Sequence, residues 1–425
     1  MNDHSSPPRS RIIAPRHALA RMLGRSGTEP HRAATPLELF YDLTIVVAFS
    51  LASEEFAHAL AEDHVLEGVV AFGFAMFAVI WAWMSHTRFA TAYDTDDWFV
   101  RVAVLVQMVG VVVLALGIPP MFEAMSHWDI DNGLMVLGYV IMRVPLIALW
   151  ARAATQDAQH RSTAARIAIG IAAAQVGWVA LLLVDPPTPI WFALAGVLFV
   201  FELGHPIVAQ RLRGALPWHP HHLAERYGLL AIIAFGEVVL GTTFAVGAVI
   251  DEQGLSTEAL GLAFAGVALT FGMWWTYFSF PTAELLAAFP RRTTTWAYLH
   301  LVTYASIAAV GAGLHVVAYA IEDHVELAPV AVLATVAVPL AVVLAMAFVL
   351  YRVLLGPEGF DPLHLLLRSI SAIVIVGALV MAWAGVPPVL CLLVLMLTPW
   401  VSIVTYEVFG HRHVQESLDR AVAGD

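Results

Sequence analysis

The sequence predicts an all-α polytopic membrane protein, a bundle of about twelve transmembrane helices. Three observations carry that prediction. Of 425 residues, 60% are hydrophobic and only 13% are Asp, Glu, Lys or Arg, against roughly 25% charged in an ordinary soluble domain. The apolar residues fall in long runs rather than in the stripes of soluble helices. The basic residues cluster in alternate connections between those runs. Such a composition excludes soluble globular enzymes, nucleic-acid binders and disordered chains. No Lys occurs, so all 21 basic residues are Arg, which removes Schiff-base chemistry and a phosphate-loop Lys. The single Cys391 excludes an internal disulfide and a Cys-based metal centre.

A hydrocarbon core of ~30 Å takes about 20 residues at ~1.5 Å each. Twelve runs meet that length, at 36–58, 66–86, 98–118, 134–152, 164–184, 189–210, 223–248, 258–280, 296–321, 328–355, 363–385 and 387–409. Residues 1–34 carry Arg9, Arg11, Arg16, Arg21, Arg25 and Arg32 without an apolar centre, so they are expected to form a basic cytoplasmic tail rather than a signal peptide. Alternating connections then place Arg88, Arg152, Arg161, Arg166, Arg211, Arg213, Arg291, Arg292, Arg412 and Arg420 inside. The outer connections hold acids, among them Asp129, Asp131, Asp251, Glu252, Glu322, Asp323 and Glu326. This positive-inside pattern predicts a plasma-membrane protein with both termini cytoplasmic. It also explains the formal charge of −12 as an acidic outer face.

Helix seven reads as a copy of helix one. Leu37, Tyr41, Leu43, Ala48 and Phe49 match Leu223, Tyr227, Leu229, Ala234 and Phe235 in the same frame. Trp81-Ala82-Trp83 closes the second run and Trp274-Trp275-Thr276-Tyr277 the eighth; Glu202 and His205 close the sixth, Glu407 and His411 the twelfth. These pairs divide the chain into a first six-helix half (35–210), a linker (211–222), a second half (223–410) and a tail (411–425). With six helices per half, the repeat is parallel, about an axis along the membrane normal.

Ionisable groups inside a span are costly and are functional candidates for that reason. Thr35-Pro36-Leu37-Glu38 has the spacing of a capping box, so Glu38 either closes the helix start or joins a site. Asp42 lies one turn deeper, beyond capping reach; it is either a structural partner for an Arg or part of a transport path. Arg143 sits near mid-depth, too far from water to snorkel, and needs a carboxylate: Asp42, Glu202 or Glu237. Glu202 and His205 share a helical face at i, i+3, a spacing suited to proton relay or to two metal ligands, and His219, His221 and His222 follow in the next connection. Glu225, Arg226, Arg291 and Arg292 read as helix-start and orientation anchors. Trp81, Trp83, Trp274, Trp275, Tyr277 and Phe278 read as an interfacial aromatic belt or a path lining. The acidic run Tyr93-Asp94-Thr95-Asp96-Asp97-Trp98 is expected to pair with Arg88 and Arg101.

Pro36-Leu37-Glu38-Leu39-Phe40-Tyr41-Asp42-Leu43 resembles the opening signature of the bacterial low-temperature-requirement A family. His222-Leu223-Ala224-Glu225-Arg226-Tyr227-Gly228-Leu229, running on to Gly236-Glu237, is similar to its second signature, and Trp274-Trp275-Thr276-Tyr277-Phe278 to a third. Arg143 and Glu202 also stand where that family places Arg and Glu. The resemblance spans roughly 35–410. It implies a polytopic membrane protein associated with growth in the cold, of no established molecular activity. Phe40-Tyr41-Asp42 is also similar to the Phe-Ser-Asp at the first helix of six-helix endolysosomal and bacterial potassium channels, with Tyr41 in place of Ser.

The expected function is a secondary transporter using Asp42, Glu202, His205 and Glu237 as ion or proton sites and Arg143 as counter-charge or anion contact. A duplicated cation channel is the alternative, although no Thr-Val-Gly-Tyr-Gly filter occurs. A metal-dependent intramembrane enzyme and a structural or lipid-sensing role follow. No catalytic residue, metal ligand set or cofactor is assigned. The expected partners are the lipid bilayer and a small solute or ion, with no nucleic acid.

Overall fold

A computed structural model describes residues 18–25, 33–93, 95–322, 324–325, 327–355 and 362–410. Arg9, Arg11, Arg16, Arg32, Asp94, Asp323, Glu326, His411, Arg412 and Arg420 lie outside the described residues, and with them parts of the orientation argument. Every predicted span is helical: α1 (Pro36–Ala61), α2 (Val65–Ala92), α3 (Trp98–Leu116) continued by α4 (Ile118–Met125), α5 (Gly133–Gln156), α6 (Arg161–Val184), α7 (Thr188–Arg213), α8 (Pro220–Gln253), α9 (Thr257–Phe278) followed by α10 (Thr282–Ala288), α11 (Thr293–Ile321), α12 (Pro329–Leu355), α13 (Pro362–Trp383), and the pair α14 (Pro388–Leu395) and α15 (Leu397–Thr405). Eleven stretches among the described residues are long and apolar enough to cross a bilayer. In the remaining predicted span, the eleventh (α13), the apolar stretch Arg368–Trp383 is shorter. The protein is a helical membrane bundle.

The third and twelfth spans are broken where Pro dictates. Pro119-Pro120 follows Gly117, and Pro399 removes an amide from the first turn of α15, so neither helix ladder runs through unbroken. Helix α8 is 34 residues long, more than a bilayer core needs, and its first turn reaches well past the predicted start at 223.

The helices pack in a repeated order. Helix α1 lies on α2 and α3, α3 on α5, α5 on α6 and α6 on α7; likewise α8 lies on α9 and α11, α11 on α12, α12 on α13, and α13 on α14 and α15. The two sets meet where α1 and α2 pack against α8 and α11. Helix α11 is the most enclosed, with 83% of its apolar window buried. Small residues permit this: a Cβ on Gly311 would stand 2.6 Å from the Glu237 carbonyl oxygen. By contrast α3 turns Val102, Leu105, Val109, Val112 and Leu116 outward, and α7 is mostly exposed. Those faces are as apolar as the core because their solvent is lipid rather than water.

Part of the basic N-terminal stretch is pinned down. The Ala20 amide donates to Asp97 Oδ2 (3.1 Å), Met22 to Gln156 Oε1 (2.8 Å) and Gly24 to Asp157 Oδ2 (3.1 Å). Gly24 also forms a β-bridge with Tyr93. Asp97 caps α3 through Phe99 and Val100 and accepts from Arg152; Asp96 takes Arg101 at 2.8 Å. Arg88 donates to the Tyr298 hydroxyl (3.3 Å); the expected pairing of this acidic run is seen for Arg101, and Asp94 lies outside the described residues.

Burial is the largest influence on Asp97 and Asp157 and opposes their charge. The Arg152 hydrogen bond on Asp97 and the His160 hydrogen bond on Asp157, with the backbone amides, outweigh it, and both carboxyls titrate below the ordinary Asp range. A depressed folded pKa contributes stability that is complete above the unfolded value of ~3.9 and is lost as pH falls through the folded value. The Ala20 and Gly24 amides, held by Asp97 and Asp157, should therefore stay protected from hydrogen exchange between pH 5 and 7 and lose protection below about pH 4. Asp157→Ala, which removes the acceptor, should expose Gly24 at every pH.

Candidate functional site

The two signature segments zip together. Helices α1 and α8 begin side by side, each with Pro in its first turn. Thr35 and Glu38 form the predicted capping box, but Glu38 also turns its Oε1 to His222 Nε2 (3.1 Å). With Nε2–H donated, His222 Nδ1 accepts from the Thr91 hydroxyl of α2 (3.2 Å). Above this rung the Ala34 amide donates to Glu225 (3.1 Å). Below it Asp42 Oδ1 accepts from Arg226 Nη2 (2.8 Å) and from Trp83 Nε1 (2.7 Å). Asp42 and Arg226 are 1% and 0% exposed. Arg226 is thus no interfacial anchor: it is the buried counter-ion of Asp42, with its guanidinium also over the Trp83 ring. At a helix start the sequence offered an Arg with water in reach; only the packing of α2 over it shows otherwise.

Arg143 selects Glu202 among its three possible partners. Its Nη2 stands 3.4 Å from Glu202 Oε2 and bonds the Tyr139 hydroxyl, one turn away on the same helix. Glu202 collects further donors: Trp81 Nε1 (2.8 Å), the Tyr139 hydroxyl (3.0 Å) and Trp178 Nε1 (3.4 Å). Four helices, α2, α5, α6 and α7, therefore converge on one carboxylate that is 0% exposed. Such a pair survives in a low-dielectric interior only because the remaining lone pairs are taken.

Trp81 and Trp83 are 1% and 0% exposed, so they are not belt residues as the sequence suggested; each donates its one polar hydrogen to a buried acid. Trp274 is 37% exposed. Trp275 donates to Glu407 (3.2 Å), and the Tyr277 hydroxyl meets His300 Nε2 (2.9 Å). Tyr139 was legible as an i, i+4 neighbour of Arg143. Trp178, Thr87 and Ser50 carried no such signal.

His205 does not join Glu202. Its Nδ1 faces the Phe201 carbonyl (3.3 Å), its ring lies where a Cβ on Gly170 would be, and its Nε2 is buried without a hydrogen-bond partner among the described residues. Its ring packs against Gly170 of α6, whereas Glu202 is held by Trp81, Tyr139, Arg143 and Trp178. Of the histidines after α7, His219 caps α8 and His222 is the Glu38 partner. Among the described residues no group of three or more His, Cys, Asp and Glu comes together as a metal site.

Glu237 stands apart from both ion pairs. It is 1% exposed at the middle of α8, and its Oε1 accepts from Ser50 of α1 (2.7 Å). No Arg or His lies within ion-pair distance of it among the described residues.

Comparison with known proteins agrees with this architecture. An uncharacterized protein of Rhizobium meliloti (strain 1021) is 27% identical over 263 residues, a match covering 60% of each chain. Residues 33–405 match the family described as bacterial low temperature requirement A protein (LtrA). The matched region contains both buried ion pairs, Glu237 and both signature segments, and the chain belongs to the LtrA family.

Proposed function

We propose that the protein is a secondary carrier of the cell membrane, built from two six-helix halves, whose path runs along the seam of α1, α8 and α11. Glu237 carries this reading. It is a carboxyl at mid-membrane depth with one hydroxyl donor and, among the described residues, no counter-ion, a group that can exist protonated or charged as its surroundings alternate. Asp42 and Glu202, held by guanidiniums and indoles, are fixed charges that brace the walls on either side. Ser50 belongs to the first half and Glu237 to the second, so a rocking motion of the halves would make and break their bond.

The repeated packing order supports two equivalent halves. So does a repeated bond: Trp81 of α2 donates to Glu202 of α7, and Trp275 of α9 donates to Glu407 at the matching end of the second half. The enclosed α11 fills the centre, which favours alternating access over a permanently open pore.

The test is transport by purified protein in liposomes loaded with a pH-sensitive dye, under an imposed pH gradient and with a panel of small ions and solutes. Wild type should show proton movement coupled to one solute class. Glu237→Gln, which keeps the Ser50 hydrogen bond but cannot ionise, should lose that coupling by about tenfold or more. Identical fluxes in wild type and Glu237→Gln for every solute would overturn the reading.

A further inference from the structure

Hydrogen-bond donors and acceptors do not balance around Tyr41. Among the described residues, Nε and Nη1 of Arg143 and of Arg226 are buried donors without a hydrogen-bond partner, beside the Tyr41 hydroxyl and His86 Nδ1, which can donate or accept, and the acceptor Asp42 Oδ2. The five residues come from α1, α2, α5 and α8 and are at most 3% exposed. Tyr41 connects them: its ring lies 4.5 Å from that of His86, and its hydroxyl sits in the electrostatic field of Arg143 and Arg226. The carboxylates that neutralise the two arginines occupy one edge of each guanidinium and leave the rest unsatisfied. Buried N–H groups rarely stay unmade, because the desolvation is not recovered. A surplus of guanidinium and hydroxyl donors is the chemistry that receives oxyanions.

There is also a way in. At the end where α1 begins, a small recess of about 40 Å³ is lined by Thr35, Glu38, His86, Phe89 and Asp96. Its two acids are already engaged, Glu38 by Thr35 and His222 and Asp96 by Arg101, and its floor at His86 abuts Tyr41.

We infer that the arginine pair flanking Tyr41 is a binding site for a small oxyanion, a carboxylate or phosphate group, entered past His86. Two guanidiniums and a phenol would share its oxygens, with Asp42 Oδ2 as the one acceptor for a hydroxyl on the ligand. This deepens the carrier reading, on which the step from binding to transport rests.

Trp83 provides the readout, since its indole bonds Asp42 and carries Arg226 over its ring at 5.7 Å. Intrinsic fluorescence of the full-length protein in detergent is titrated with sodium acetate and with sodium phosphate, against sodium chloride at equal ionic strength. One oxyanion should give a saturable change that chloride does not. Its apparent affinity should fall about tenfold in Arg143→Gln and severalfold in Tyr41→Phe, a variant that removes no charge. No saturable change with either oxyanion, or equal affinity in wild type and Tyr41→Phe, would overturn the site. Flux in liposomes without oxyanion binding overturns the site and leaves the carrier. Tyr41-dependent binding of an anion that is never transported supports the site and removes it from the carrier.

Discussion

Arg226→Met is expected to destabilise the protein by about 3–5 kcal/mol, because it leaves the Asp42 carboxylate buried against Trp83 alone. Asp42→Asn should cost a comparable amount by stranding the guanidinium. The double variant Asp42→Asn/Arg226→Met should recover most of the loss, since Asn retains an acceptor for Trp83 Nε1 and Met fills the volume without charge. Thermal unfolding in detergent of wild type, the two single variants and the double variant forms the cycle. Additive losses would show that the two side chains act separately and that the 2.8 Å contact is not what joins α1 to α8.

The second large effect is a contrast between the two acids that the proposed repeat pairs, Glu202 and Glu407. Glu202→Ala strips the acceptor from Arg143, Tyr139, Trp81 and Trp178 at once and should cost about 3–5 kcal/mol. Glu407→Ala removes the same type of tryptophan bond from an exposed site and should stay within about 0.5 kcal/mol. The physical difference lies in α5 and α12. Helix α5 brings Arg143 and Tyr139 to Glu202 deep in the bundle, whereas the Arg of α12, Arg352, stands in its last turn. If the two replacements are equally harmful, the indole contact rather than the buried ion pair supports the sixth helix of each half. If Glu202→Ala alone is harmful, the halves share a scaffold and only the first carries the fixed charge.

Much of the architecture was legible in the chain itself, for a reason special to lipid. Every backbone group in the hydrocarbon core must bond within its own segment, so an apolar run of sufficient length is a helix regardless of what surrounds it. That is why all twelve runs appear as helices, and why the breaks come at Pro119-Pro120 and Pro399. The capping box at Thr35 and Glu38 was legible for the same reason, being a contact between residues three apart. Asp42, Arg143, Glu202 and Glu237 stood out as candidates because each is a charge where charge is costly.

Partner choice was not legible. Arg143 faced three carboxylates at similar depth, and sequence spacing cannot say which helix stands opposite. Arg226 looked like an anchor because a helix start usually borders water; here α2 covers it and makes it the counter-ion of Asp42. Trp81 and Trp83 looked like belt residues because tryptophan favours the interface; their single N–H groups instead complete buried carboxylates. His205 shares a face with Glu202 by spacing, yet the two reach different neighbours.

What the sequence by itself determined is therefore whatever depends on one segment and its solvent: the membrane setting, the helices, their breaks, the family signatures and the list of costly charges. Tertiary structure alone decided which of those charges meet, which donors close around them, and that Glu237 meets Ser50 rather than a counter-ion among the described residues. The reason is the distance over which each is set. Helix formation in lipid is satisfied within four residues, whereas an ion pair such as Arg143 with Glu202 or Asp42 with Arg226 joins groups 59 and 184 residues apart, and only the packing of the whole bundle brings them within reach.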